Sequence, residues 1–160
     1  MVRPVGDDDF AAIAAITNHY IASTAIHFAY EPVTDAELRG SWLTHRATHP
    51  WFVAEHEDRV VGYAKAGIWR DRPAYAWTTE VGLYIADDQR GRGLGRALYA
   101  ALLDELAQRG FRSAIAGIAL PNDASLALHR RFGFESVGIV RDAGYKFDRW
   151  HDVEFFQKRF

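Results

Sequence analysis

Apolar residues recur at three- and four-residue steps at Phe10, Ile13, Ile16 and Tyr20, directly after Asp7, Asp8 and Asp9. That period lays one apolar stripe along a helix, with acids at the positive end of its dipole. A second helix is predicted from Thr34, which can cap it, with Glu37 three residues on to complete a capping box. Leu38, Trp42 and Leu43 are its expected buried face, and Pro50 stops it. The period then changes. Trp51 to Glu55 and Val60 to Ala66 are aromatic and β-branched runs on either side of Glu57-Asp58-Arg59, a strand–turn–strand pattern. Tyr75 to Ile85 reads as a third strand. A polar, glycine-rich loop, Ala86 to Gly95, leads into a long helical pattern at Leu94, Ala97, Leu98, Ala101, Leu102 and Leu106, closed by Gly110. Phe111 to Ala119 is an apolar strand. Pro121-Asn122-Asp123 opens a short helix to Phe132, with Gly133 as its C-terminal cap, and Phe134 to Val140 and Val153 to Phe160 are the last strands.

This order of elements predicts one α/β (α+β) domain over residues 1–160, a central mixed β-sheet flanked by helices. No repeat, low-complexity run or Pro/Gly/Ser linker divides it. Lys and Arg number 19 against 21 Asp and Glu, a formal charge of −2. That balance lacks the clustered basic surplus of a nucleic-acid binder. No apolar run reaches the ~18 residues of a membrane helix, and the Asp-rich N-terminus has no basic-then-apolar leader pattern. The expectation is a cytoplasmic protein with neither nucleic-acid nor membrane partner. The chain has no cysteine, which excludes disulfides, thiolate metal sites and a catalytic thiol. His45 and His49 have i,i+4 spacing but no evident third ligand, so no metal is expected. No Gly-x-Ser-x-Gly elbow is present for a serine hydrolase.

The sharpest local feature is Gln89-Arg90-Gly91-Arg92-Gly93-Leu94-Gly95-Arg96, between a strand and a helix. Glycines allow a tight turn there, and the first turn of a helix offers unpaired N–H groups to an anion. Arg90, Arg92 and Arg96 add charge suited to phosphate. A P-loop would need Gly-Lys-Ser/Thr, and here Arg96 follows Gly95; a dinucleotide fingerprint would need glycine where Arg96 stands. The pattern that remains, Arg-x-x-Gly-x-Gly at Arg90, Gly93 and Gly95, resembles the acyl-CoA loop of the GNAT superfamily of N-acetyltransferases. Downstream, Asn122-Asp-Ala-Ser125, Leu128-His129 and Phe132-Gly133-Phe134 are similar to the second CoA segment of that superfamily. Tyr75-Ala-Trp-Thr-Thr-Glu80, Leu120-Pro-Asn-Asp123 and Lys146-Phe-x-x-Trp150-x-Asp152 resemble the phosphinothricin and methionine sulfoximine acetyltransferases within it. Val81-Gly82 depart from the Ser or Thr that often follows the strand Glu there.

The resemblance implies an acetyl-CoA-dependent N-acetyltransferase that acts on the amine of a small amino-acid-like compound by direct transfer, as a homodimer. It implies Glu80 as general base and His129 as the group that protonates the leaving thiolate. Leu83 and Ile85 would offer backbone groups to the pantetheine arm. Arg90, Gly91, Arg92, Gly93, Leu94, Gly95, Arg96, Asn122 and Ser125 would hold the rest of CoA. Arg70, Arg72, Tyr75, Thr78 and Lys146 are candidates for the amine substrate, and Lys146 and Trp150 also for a dimer contact. Two other readings stay open: a non-catalytic acyl-CoA sensor of the same fold, and an acetyltransferase for protein N-termini or Lys.

Overall fold

The computed structural model describes residues 1–160. Its strands are β1 (Val2–Pro4), β2 (Trp51–His56), β3 (Arg59–Ile68), β4 (Thr78–Ile85), β5 (Ser113–Ala119), β6 (Glu135–Lys146) and β7 (Arg149–Arg159), and its helices α1 (Phe10–Ser23), α2 (Asp35–His45), α3 (Leu94–Gln108) and α4 (Asp123–Arg131). The strands form one mixed sheet in the order β1-β2-β3-β4-β5-β7-β6. Every pairing is antiparallel except β4 with β5.

Each face of the sheet has its own core. On one, Leu98, Leu102 and Leu106 of α3 pack on Val61, Val81, Ala114 and Phe156, with Leu126 and Leu128 of α4 at the margin. On the other, Phe10, Ile13 and Ile16 of α1 pack with Trp42 of α2 on Trp51, Val53 and Tyr63. The period-3.6 stripes found in the sequence are these buried faces.

Local signals act as their chemistry dictates. The Thr34 hydroxyl accepts from the Glu37 N–H while the Glu37 carboxylate accepts from the Thr34 N–H, at 3.1 and 2.8 Å. Asn122 Oδ1 accepts from the Ser125 N–H at 3.2 Å and caps α4.

Several boundaries differ from expectation. β1 was not foreseen: three residues carry no readable period, and Arg3 secures it with bonds to Asp9 and Glu55. Leu43 is exposed, because Trp42 with Leu38 beside it fills the α2 contact. Residues Pro73–Tyr75 form a 3₁₀ turn, so β4 starts at Thr78 instead of Tyr75. β5 starts at Ser113 rather than Phe111. β6 runs on to Lys146 and turns through Phe147 and Asp148 into β7, a long hairpin where two separate strands were expected.

The β4–β5 junction is what positions the site. Parallel pairing joins only residues 78–80 to 113–115. Beyond Glu80 the two strands diverge, and the sheet opens in its middle.

Candidate active site

The phase of the β3–β4 ladder decides what faces that opening. Ala86 N–H donates to the Val61 carbonyl at 2.8 Å, and antiparallel strands alternate hydrogen-bonded and non-bonded pairs. The pairs Gly62–Ile85 and Ala64–Leu83 are therefore non-bonded ones. Leu83 and Ile85 turn their N–H and C=O groups away from β3, toward the gap that β5 has left. One of these groups is already used: the Ile85 carbonyl accepts from the Tyr20 hydroxyl at 2.7 Å.

A cavity of about 790 Å³ occupies the gap and reaches both faces of the sheet. On the α3 side it meets the glycine loop. Gly91 and Gly93 have φ of +78° and +77°, and a Cβ at either would meet nothing within 4 Å. The loop's backbone is thus bare toward the cavity at two positions where an L side chain would be strained. Gly95, in the first turn of α3, lies so close to β4 that its Cβ would stand 3.2 Å from Leu83. The α3 N-terminus is thereby set against the open strand edge, with its unpaired N–H groups toward the cavity.

Arg90 and Arg96 line the cavity with Gly91, Gly93, Leu94 and Gly95. Arg90 folds inward, 3.2 Å from both the Tyr20 hydroxyl and Asp87. Arg92 does not line the cavity: the chain turns at the glycines on either side of it, and its guanidinium lies 3.1 Å from His56. Asn122 and Ser125 line the opposite bank. Since Asn122 caps α4 with its oxygen, its amide nitrogen is left to donate. Gln89 Oε1 is buried at the loop with no protein partner.

On the α1 side, even-numbered residues of β4 face the cavity. Glu80 lies there with Tyr84, beside Lys65 of β3 and His27. Desolvation raises the Glu80 carboxyl above its ordinary pKa; the positive charges of Lys65 and Arg70 oppose that shift and are outweighed. A carboxylate so placed is a better proton acceptor than a free Glu.

His129 is buried beneath the opposite bank, and both of its ring nitrogens are engaged. Nδ1 is 2.7 Å from the Ser125 carbonyl, which can only accept, so Nδ1 carries the proton. Nε2 accepts from the Tyr99 hydroxyl at 2.8 Å. Burial lowers the imidazole pKa, and the bond to Ser125 only partly restores it. The ring is therefore neutral, with no proton of its own turned to the cavity. His129, expected as the acid, thus points no N–H into the cavity, and the proton between the two rings lies on the Tyr99 hydroxyl.

Four of the substrate candidates stand outside the cavity. Arg70, Arg72 and Tyr75 are exposed beyond the end of β3, and Thr78 precedes the opening. Arg70 stacks on Trp69, 4.7 Å from the ring centroid, and reaches Glu80 only through its field. Lys146 is elsewhere altogether: its buried ammonium donates to the carbonyls of Ile21 and His27, at 2.6 and 2.7 Å. The end of the hairpin folds back onto the C-terminal end of α1, which sequence spacing does not reveal.

An acetyltransferase (GNAT) domain family matches residues 2–154. The chain is 42% identical over 159 residues to the phosphinothricin N-acetyltransferase of Streptomyces viridochromogenes, covering 99% of this chain and 87% of that one. It belongs to the GNAT acetyltransferase family. It is also 38% identical to the L-methionine sulfoximine/L-methionine sulfone acetyltransferase of Pseudomonas aeruginosa, covering 98% of this chain and 92% of that protein. The crystal structure of a GNAT phosphinothricin acetyltransferase from Sinorhizobium meliloti in complex with acetyl-CoA superposes with a TM-score of 0.96 at 32% identity. It covers all of this chain and 88% of that one.

The GNAT assignment makes acetyl-CoA the acetyl donor, and the cavity suits such a molecule. Bare loop backbone and a helix N-terminus can meet phosphates, and the unpaired β4 edge can meet an extended amide-bearing arm. Tyr20, Lys65, Tyr84 and Tyr99 were not foreseen as cavity residues. Lys65, Tyr84 and Tyr99 are each a single polar or aromatic position inside an apolar run and Tyr20 belongs to the α1 stripe, and only the fold brings them to the gap.

Proposed function

We propose that this protein transfers acetyl from acetyl-CoA directly to the amine of a small amino-acid-like substrate of the phosphinothricin or methionine sulfoximine type. The observation that carries the reading is the position of Glu80. Its carboxylate, with its pKa raised by burial, stands in the same cavity as the bare glycine loop and the unpaired β4 edge. The names of relatives that match nearly the full chain support the substrate class.

The bound donor supplies an acetyl thioester. Gly91, Gly93, Gly95, Arg90 and Arg96 bind its phosphates, with Asn122 donating from the opposite bank. Backbone groups of Leu83 and Ile85 align the arm, and an N–H of this edge polarises the thioester carbonyl. Glu80 takes the proton from the substrate ammonium, directly or through one water. The proton for the departing sulfur comes from the Tyr99 hydroxyl at the cavity wall, whose O–H leaves Nε2 of His129 to protonate the sulfur and is restored from solvent. The chain has no cysteine to hold an acetyl thioester, which favours direct transfer over a thiol-linked intermediate.

The functional unit is a homodimer. β6 is exposed along nearly its whole length, and Val137, Ile139, Val140, Tyr145, Phe147 and Trp150 of the hairpin are exposed together. An exposed sheet-edge strand with these apolar residues suits a partner, and a second copy supplies it. A reaction that draws on acetyl-CoA belongs in the cytoplasm.

The test is free-thiol release from acetyl-CoA against phosphinothricin, methionine sulfoximine, simple amino acids, polyamines and peptides. Turnover with the amino-acid analogues is expected. Tight acetyl-CoA binding without thiol release for any amine would overturn the reading and favour a sensor; turnover confined to peptides would move the substrate to protein N-termini or Lys.

A further inference from the structure

Lys65 is the lysine in the cavity wall on the Glu80 side of the sheet. Its ammonium makes neither a hydrogen bond nor an ion pair within the protein. The group closest to a partner is the face of Trp51, 5.2 Å from Nζ to the ring centroid. An aromatic face steadies a cation but leaves its three N–H donors unused.

The side chain has a bed built for it. Lys65 stands directly opposite Gly82. A Cβ at Gly82 would lie 3.8 Å from both Cγ and Cε of Lys65, ordinary contact distance, so the stem runs alongside β4 at this position. Glu80 is two residues earlier on the same strand and the same face. Diagonal neighbours of this kind are roughly 7–8 Å apart at Cα, within reach of two long side chains converging on one small molecule. Burial presses the ammonium toward its neutral form, and Glu80 pulls it only partly back. A half-buried cation with idle donors is costly unless an anion comes to it.

We propose that Lys65 holds the carboxylate of the amino-acid-like substrate while Glu80 faces its amine, which makes Lys65 a specificity-determining residue. This rests on the amine-acetylating reading above. An α-amino acid carries its ammonium and carboxylate on one carbon, and the wall offers an anion and a cation side by side to meet them. An amine without a carboxylate would bring nothing to Lys65.

The experiment compares L-methionine sulfoximine with its methyl ester, in wild type and in Lys65→Met, which keeps the stem and removes the charge. In the wild type, KM for the ester is expected to exceed KM for the acid at least tenfold. In Lys65→Met, KM for the acid rises at least tenfold, the ester-to-acid ratio falls to about one, and acetyl-CoA affinity by calorimetry is unchanged, which reports an intact fold. Lys65→Arg, which keeps the charge, retains a ratio above one. The same ratio in Lys65→Met as in the wild type overturns the assignment. A ratio that survives Lys65→Met but collapses in Arg70→Gln gives the role to Arg70 and also overturns it. If the wild type releases no thiol with either amine, the parent reading fails by itself, before any variant is compared.

Discussion

The Tyr99 hydroxyl donates to Nε2 of His129 across 2.8 Å, and the His129 Nδ1–H donates to the Ser125 carbonyl. The two rings meet edge to face at 5.1 Å between centroids. This pair ties α3 to α4 beneath the cavity, and the proton it shares lies on Tyr99, engaged with Nε2. Tyr99→Phe is expected to lower turnover roughly a hundredfold, with acetyl-CoA affinity unchanged. It should also cost about 1–3 kcal/mol of stability, since Nε2 is left without its donor. Single-turnover kinetics alongside urea unfolding separate the two effects. Lost stability with full turnover would make the pair purely structural.

The same histidine makes the fold sensitive to acid. Its pKa is lowered from 6.5 by burial, so the unfolded chain binds the proton more readily than the folded one. The stability it contributes is fully present above pH 6.5 and is lost as pH falls from there through the folded value. His27 and His49, also lowered chiefly by burial, act in the same direction. The unfolding midpoint in urea is expected to fall between pH 6.5 and 5, and to fall less steeply in His129→Gln.

The glycine loop gives a prediction that separates conformation from space. Gly93 has room for a Cβ but sits at φ +77°, which a β-branched residue resists. Gly93→Val should therefore strain the loop and raise the Kd for acetyl-CoA at least tenfold by calorimetry, with little change elsewhere in the fold. An unchanged Kd would mean that this backbone does not approach the ligand.

Lys146 is held by main-chain carbonyls. It donates to two carbonyls, of Ile21 and His27, and so fastens the chain leaving α1 to the β6–β7 hairpin. Lys146→Met should cost about 1–3 kcal/mol through carbonyls left unpaired. A substrate contact would instead show as a raised KM for the amine with stability intact.

What could be read from the chain depended on how local the signal is. The Thr34–Glu37 box, the Asn122 cap and the glycine loop are short patterns whose physics is complete within a few residues, and the fold uses all three. Glu80 was visible as a lone acid in an apolar strand next to that loop. Lys65 was equally lone, yet its meaning needs Gly82 across the ladder and Trp51 beneath it. Tyr99 reads as one more core residue of α3 until His129, thirty residues away, turns out to be its acceptor. The length of β6 was hidden for a different reason: register slips between Val140 and Gly144 break its alternation, so the pattern stops before the strand does. Arg70, Arg72, Tyr75 and Thr78 were candidates by residue type, and the segment that carries them lies outside the cavity wall.

Glu80 carries the central claim, and a pH profile of Glu80→Gln against the wild type tests it most directly. A base must be unprotonated, so wild-type kcat/KM falls as pH drops through the carboxyl pKa; desolvation, by raising that pKa, moves this limb upward from where a free Glu would put it. In Glu80→Gln, turnover should fall roughly a hundredfold and the limb should vanish, while calorimetry finds acetyl-CoA binding unchanged. Equal turnover in the two proteins across the whole pH range would contradict the account.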